Sequence, residues 1–144
     1  MRMVDVSEKP VSRRVARAEA RVSMSTDTLR MILENKLPKG NVLAAAQLTA
    51  IMAVKRTWEL LPLCHPVPIE GIEVSFSTPD PQTLLIKVEV SATGKTGVEM
   101  EALTGATAAA LCVYDMCKAV ERGMVIREVA LEYKCGGVSG EYRR

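Results

Sequence analysis

Aromatic residues make up only 3% of this 144-residue chain: one Trp, three Tyr and one Phe. Proteins that hold single-stranded nucleic acid stack its bases on aromatic faces, and that route is nearly closed here. Charge of one sign is lacking too. Nineteen Lys and Arg against seventeen Asp and Glu leave a net charge of +2, too balanced for binding driven by overall charge. No nucleic-acid partner is expected. The chain has a single histidine, and its four cysteines (Cys64, Cys112, Cys117, Cys135) form no C-x-x-C pair. A structural zinc takes about four N or S ligands at tight spacing, so no metal site is expected. The longest apolar stretch, Val42 to Val54, is broken by Gln47 and Thr49. A bilayer span needs about 20 apolar residues, so no membrane segment is expected. The opening Met-Arg-Met-Val-Asp-Val carries no apolar secretion core. A cytoplasmic protein with reduced thiols is the resulting expectation.

What is present is 48% hydrophobic and 25% charged residues, the composition of one soluble globular domain spanning 1–144. Alanine is abundant in two helix-like segments. Small side chains let helices approach closely but bury little apolar area each. Association with further copies of the chain is therefore expected.

Residues 1–12 carry Pro10 and several charges without a period and read as an arm, mobile or docked on a partner. From Ala16 to Met24, apolar and polar residues alternate strictly, the mark of a half-buried strand. Ser25-Thr26-Asp27 offers a helix cap, and Leu29, Ile32 and Leu33 give a short helix ending before Pro38. Lys39-Gly40-Asn41 reads as a turn, with Asn41 capping a second helix to about Glu59. Eleven of that helix's first thirteen residues are apolar, which predicts cover on most sides. Leu60 to Pro68 holds three prolines and is irregular. Two alternating strands follow, around Ile72–Phe76 and Leu84–Val90, joined by a Thr78–Thr83 turn. A long helix is predicted from Val98 to Val120, then a strand from Met124 to Tyr133 and a glycine-rich tail over 134–144. The order predicts an α+β, ferredoxin-like fold (β-α-α-β-β-α-β), with an antiparallel sheet and helices on one face.

Chemistry concentrates in four places. His65 lies in an irregular segment, where it is either a solvent-facing side chain or a donor to substrate. Thr93 to Glu101 sets glycines and Lys95 at a helix start, where free N–H groups and the helix dipole favour an anion. It is not a P-loop, since Glu89 stands where that motif requires glycine. Asp115 and Lys118, three apart on the long helix, are neighbours on one face. They form either a surface ion pair or an acid–base pair, and Glu101 shares their face if the helix is unbroken. Lys134 opens the glycine-rich tail, a fraying end or a substrate-closing flap, while Lys39 stands at another helix start. The inventory favours binding and acid–base chemistry on a phosphorylated small molecule.

Several segments, read at length, resemble the cyclic pyranopterin monophosphate synthases of molybdenum-cofactor biosynthesis. They are Met3 to Lys9, Lys55 to Trp58, Leu60 to Pro66, Thr96 to Thr104, Val113 to Ala119 and the tail. The resemblance covers essentially the whole chain in the family's order. It implies a homohexamer built as a trimer of dimers, with sites at subunit interfaces and a nucleotide-derived substrate, 3′,8-cyclo-7,8-dihydroguanosine 5′-triphosphate. It implies Asp115, Lys118, Lys39, His65 and Lys134 as catalytic positions. Leu63, Cys64, His65, Glu99, Met100 and Glu101 match substrate-binding positions. No cofactor is implied beyond a Mg2+ ion accompanying the phosphates. The chain departs from the family in having Val138 where a lysine is usual in the tail, and in starting close to its first motif. The competing reading is a non-catalytic phosphorylated-ligand-binding domain of the same fold.

Overall fold

A computed structural model describes all 144 residues. The elements run β1 (Ser12–Ser23), α1 (Thr26–Leu33), α2 (Val42–Lys55), α3 (Thr57–Leu60), β2 (Ile69–Asp80), β3 (Thr83–Gly94), α4 (Glu99–Cys117), β4 (Val125–Cys135) and β5 (Tyr142–Arg143). The strands form one sheet in the order β2-β3-β1-β4-β5, each neighbouring pair antiparallel. The first four strands thus take the ferredoxin-like order, and the helices pack on one face. No helix is long and apolar enough to cross a membrane, and all four cysteines are unpaired thiols.

The period-2 pattern decides which face meets the helices. Ala16, Ala18, Ala20 and Val22 of β1, with Leu84, Ile86, Val88, Val90 and Ala92 of β3, are fully buried beneath α2 and α4. Their alternate neighbours carry charge across the opposite face, as in the Arg17–Glu89 pair at 2.5 Å. α4 comes close because Ala102, Ala106, Ala109 and Ala110 line its buried side. At Gly105 a Cβ would stand 2.7 Å from Val54 Cγ2 and 3.1 Å from Val88 Cγ1. Glycine there lets α2, α4 and β3 meet at one point. The caps follow the sequence: Ser25 Oγ accepts from Thr28 N at 3.2 Å, and Asn41 Oδ1 from Ala44 N at 2.9 Å.

Several boundaries differ from expectation. The second helix stops at Lys55, where Arg56 N bonds back three residues to Ala53 O at 3.1 Å, and α3 is a separate turn. The Thr78–Thr83 turn shrinks to Pro81-Gln82, because β2 runs on through Pro79. β2 is an edge strand, where a missing N–H costs no ladder bond. The long helix ends at Cys117, and Val120 N closes a tighter turn on Cys117 O at 2.9 Å. β4 extends to Cys135, taking Lys134 out of the tail, and Tyr142–Arg143 return as an unforeseen fifth strand. β1 begins four residues early and carries Arg14 in the inward register. Cover over α2 is also narrower than expected. Val42, Ala46, Ala50 and Val54 are buried in one stripe, while Leu48 and Met52 are exposed.

Candidate active site

α4 carries expected site residues at both ends. At its C-terminal end, Asp115 holds two lysines. Lys118 Nζ donates to Asp115 Oδ1 at 2.7 Å, and Lys39 Nζ donates to Oδ2 at 2.7 Å and to the backbone carbonyl at 3.2 Å. The 3-residue spacing fixes the first contact. The second arises because the α1–α2 turn, with Gly40 at φ +98°, delivers Lys39 to this helix end. The two ammonium groups hold the Asp115 carboxyl down to about 2, and the same contact raises Lys118. All three are half-exposed. At neutral pH Asp115 is thus a fixed anion between two cations, unable to donate a proton.

At the other end of α4 a cavity of about 400 Å3 opens. Leu63, Cys64 and His65 from the proline-rich segment form one wall, and Thr96, Gly97, Glu99, Met100 and Glu101 form another. Val4, Val6 and Lys9 of the N-terminal arm complete the lining. Lys95 Nζ donates to Ser7 O at 2.7 Å, tying the arm down on its own chain. Glu101 is only 5% exposed. Burial first, then the neighbouring Glu99 charge, push its carboxyl above the usual range, and burial raises the Cys64 thiol likewise. Lys134 Nζ donates to Glu99 Oε1 at 3.0 Å and to Ser139 Oγ at 2.7 Å, joining β4 and the tail to this cluster.

Every expected site residue therefore falls into one of two groups, but the groups do not meet within one chain. α4 is unbroken and Glu101 and Asp115 lie nearly on one face. Fourteen residues at a rise of about 1.5 Å nevertheless separate them by about 21 Å along the axis. Val4, Val6 and Lys9 were not singled out as site residues. Only their place in the Met3–Lys9 motif pointed to them, because a loop held by a backbone carbonyl leaves no periodic signal.

Burial of Glu101 has a measurable consequence. An acid whose folded pKa is raised destabilises the fold once pH exceeds its unfolded pKa, and costs nothing well below it. Glu101→Gln is expected to raise the thermal midpoint at pH 7, with the gain fading as pH falls towards about 4.5 and absent well below it. A pH-independent change in midpoint would contradict this.

Fold and site together define a ferredoxin-like α+β protein with lysine–carboxylate clusters and a cavity of small-molecule size lined by Lys9, His65, Glu99 and Glu101. The chain belongs to the MoaC family, whose sequence model matches residues 3–137. A cyclic pyranopterin monophosphate synthase of Brevibacillus brevis is 54% identical over 99% of this chain and 89% of its own length. A protein of the same name from Pelotomaculum thermopropionicum is 53% identical over 99% of this chain and 85% of its own. Cyclic pyranopterin monophosphate synthase 1 of Mycobacterium tuberculosis strain H37Rv is 51% identical, with 99% and 84% covered.

Proposed function

We propose that this chain converts 3′,8-cyclo-7,8-dihydroguanosine 5′-triphosphate to cyclic pyranopterin monophosphate, releasing pyrophosphate, in molybdenum-cofactor biosynthesis. The observation that carries the reading is identity of 51–54% over 99% of the chain to relatives of that name. The motif positions falling into two acid–cation clusters support it. The chemistry is acid–base rearrangement of the purine-derived rings, followed by attack of a sugar hydroxyl on the α-phosphorus. One P–O bond forms, the bond to the pyrophosphate oxygen breaks, and the hydroxyl proton passes to a base. Lys39 and Lys134 offset phosphate and leaving-group charge, and Lys118 and ionised Asp115 handle protons at the C-terminal end of α4. His65 donates to the substrate, and Leu63, Cys64, Glu99, Met100 and Glu101 shape the site around the ring system. No resident cofactor is assigned. A magnesium ion would travel with the phosphates, whose oxygens supply ligands for it.

Proton transfer works only within hydrogen-bond reach, about 3 Å. Clusters 21 Å apart along one helix therefore call for a second copy of the chain. Along α4, Met100 and Leu111 are exposed on the face that also carries Asp115 and Lys118. In an isologous contact, each copy uses the same patch reciprocally. Packing α4 against α4 in antiparallel fashion would set the lysine–aspartate cluster of one subunit beside the cavity of the other. Exposed Leu48 and Met52 on α2, with Trp58 and Leu60 on α3, offer the further surface that a hexamer of three dimers requires. This soluble assembly is placed in the cytoplasm.

The test is incubation with freshly prepared substrate, reading pyrophosphate release and the fluorescent oxidised pterin. Both products establish the synthase. Tight substrate binding with neither product would favour the non-catalytic ligand-binding domain and direct attention to Val138.

A further inference from the structure

Arg14 occupies a position that strand periodicity reserves for the core. It precedes Ala16, Ala18, Ala20 and Val22 in the inward register of β1 and is only 6% exposed. A guanidinium stays charged at all accessible pH, so burying one is costly unless its surroundings use it. Its side-chain hydrogen bond runs from Nε to Gly94 O at 3.3 Å, at the start of the loop leading into α4. The rest of the fork lies under the glycine tail. Gly136 and Gly137 have φ of +98° and +80°. A Cβ on Gly136 would stand 2.1 Å from Arg13 O, and one on Gly137 would stand 1.8 Å from Arg14 Nη1. The backbone therefore rests directly on the guanidinium, which only glycine permits. Beyond that contact the tail turns, with Gly140 N bonded to Gly137 O at 3.2 Å. The turn brings Ser139 Oγ to Lys134 Nζ at 2.7 Å. Lys134 faces Ala16 across the β1–β4 ladder, so it and Arg14 extend from the same sheet face.

We propose that Arg14 is a positioning residue: its buried guanidinium sets the course of the Gly136–Gly140 tail and, through Ser139, the aim of Lys134 into the site. This deepens the functional reading above and rests on it for its kinetic consequence alone. The same argument gives the two glycines their role, since any side chain there would lift the tail from its support.

Arg14→Met keeps an apolar stem and removes the fork. In the full-length assembly it is expected to speed amide exchange at 137–140 and to lower kcat/KM between about 10- and 100-fold, the scale of a misplacement remote from the chemistry. In a Ser139→Ala background the same substitution is expected to change kcat/KM by less than about twofold, because coupled residues do not act additively. Gly137→Ala leaves the arginine intact but displaces the tail, and is expected to give the same exchange and kinetic signature if Arg14→Met does not fold. Unchanged tail exchange in a folded Arg14→Met protein would overturn the proposal, as would full additivity with Ser139→Ala. An inactive wild type would instead count against the synthase, and the exchange measurement would still decide the role of Arg14 in holding the tail.

Discussion

Asp115→Asn is expected to lower kcat by about 10^2- to 10^4-fold, the range for losing a positioned acid such as the Lys118 it holds, while leaving the thermal midpoint at pH 7 nearly unchanged. The contrast follows from the geometry. Both lysine contacts are half-exposed, and exposed ion pairs add little to stability. Function depends on them differently. The Asp115 carboxylate aims two ammonium groups from separate elements, the α1–α2 turn and the α4 end, at one point. An amide keeps the shape but loses the charge that holds them. The pH dependence has a definite sign. A carboxyl held at about 2 when folded, against 3.8 ordinarily, contributes above pH 3.8 and loses that contribution as pH falls towards 2, and solvent screening of these half-exposed groups keeps the contribution small. Acid unfolding of the Asn variant should lack this component. Asp115 is ionised throughout the neutral range and Lys118, raised above 10.5, stays protonated there. Asp115 and Lys118 should therefore place no inflection in kcat/KM between about pH 4 and 10. Turnover within twofold of wild type in Asp115→Asn would remove the residue from the mechanism.

The second large effect is a restoration. Purified Asp115→Asn and Lys134→Ala proteins, each nearly inactive alone, are expected to recover about a quarter of wild-type turnover after being unfolded together and refolded as a 1:1 mixture. In a twofold pair with two shared sites, about half the dimers are mixed and each mixed dimer has one site with both wild-type halves. Mixing without subunit exchange should restore nothing. If refolded mixtures, shown to contain mixed dimers, also stayed inactive, the two ends of α4 would not be cooperating across subunits.

Much of the architecture was legible because it rests on short-range rules. The alternation over Ala16–Met24 reports a sheet with one dry face, the caps at Ser25 and Asn41 report local hydrogen bonds, and the prolines of 60–68 forbid regular structure. Boundaries were less legible where neighbours decide them. Pro79 is accommodated in β2 only because that strand lies at the edge, and Tyr142–Arg143 become a strand only because β4 offers its free side. Arg14 carried a signal in its inward register, but alternation alone does not distinguish a charged residue used by the core from the end of a strand.

The site divided along the same line. The sequence by itself determined the family, the fold class and the residue types, because motifs and periodicities are written in neighbouring positions. That Lys118 meets Asp115 was readable from helical spacing. That Lys39 joins them from 76 residues away was not, nor was the burial of Glu101 or the docking of Val4, Val6 and Lys9 over it. Only the tertiary structure decided that the expected residues lie at opposite ends of α4. Spacing along a helix gives angle and rise, whereas the course of the turns and the packing of the arm decide which side chains share a space.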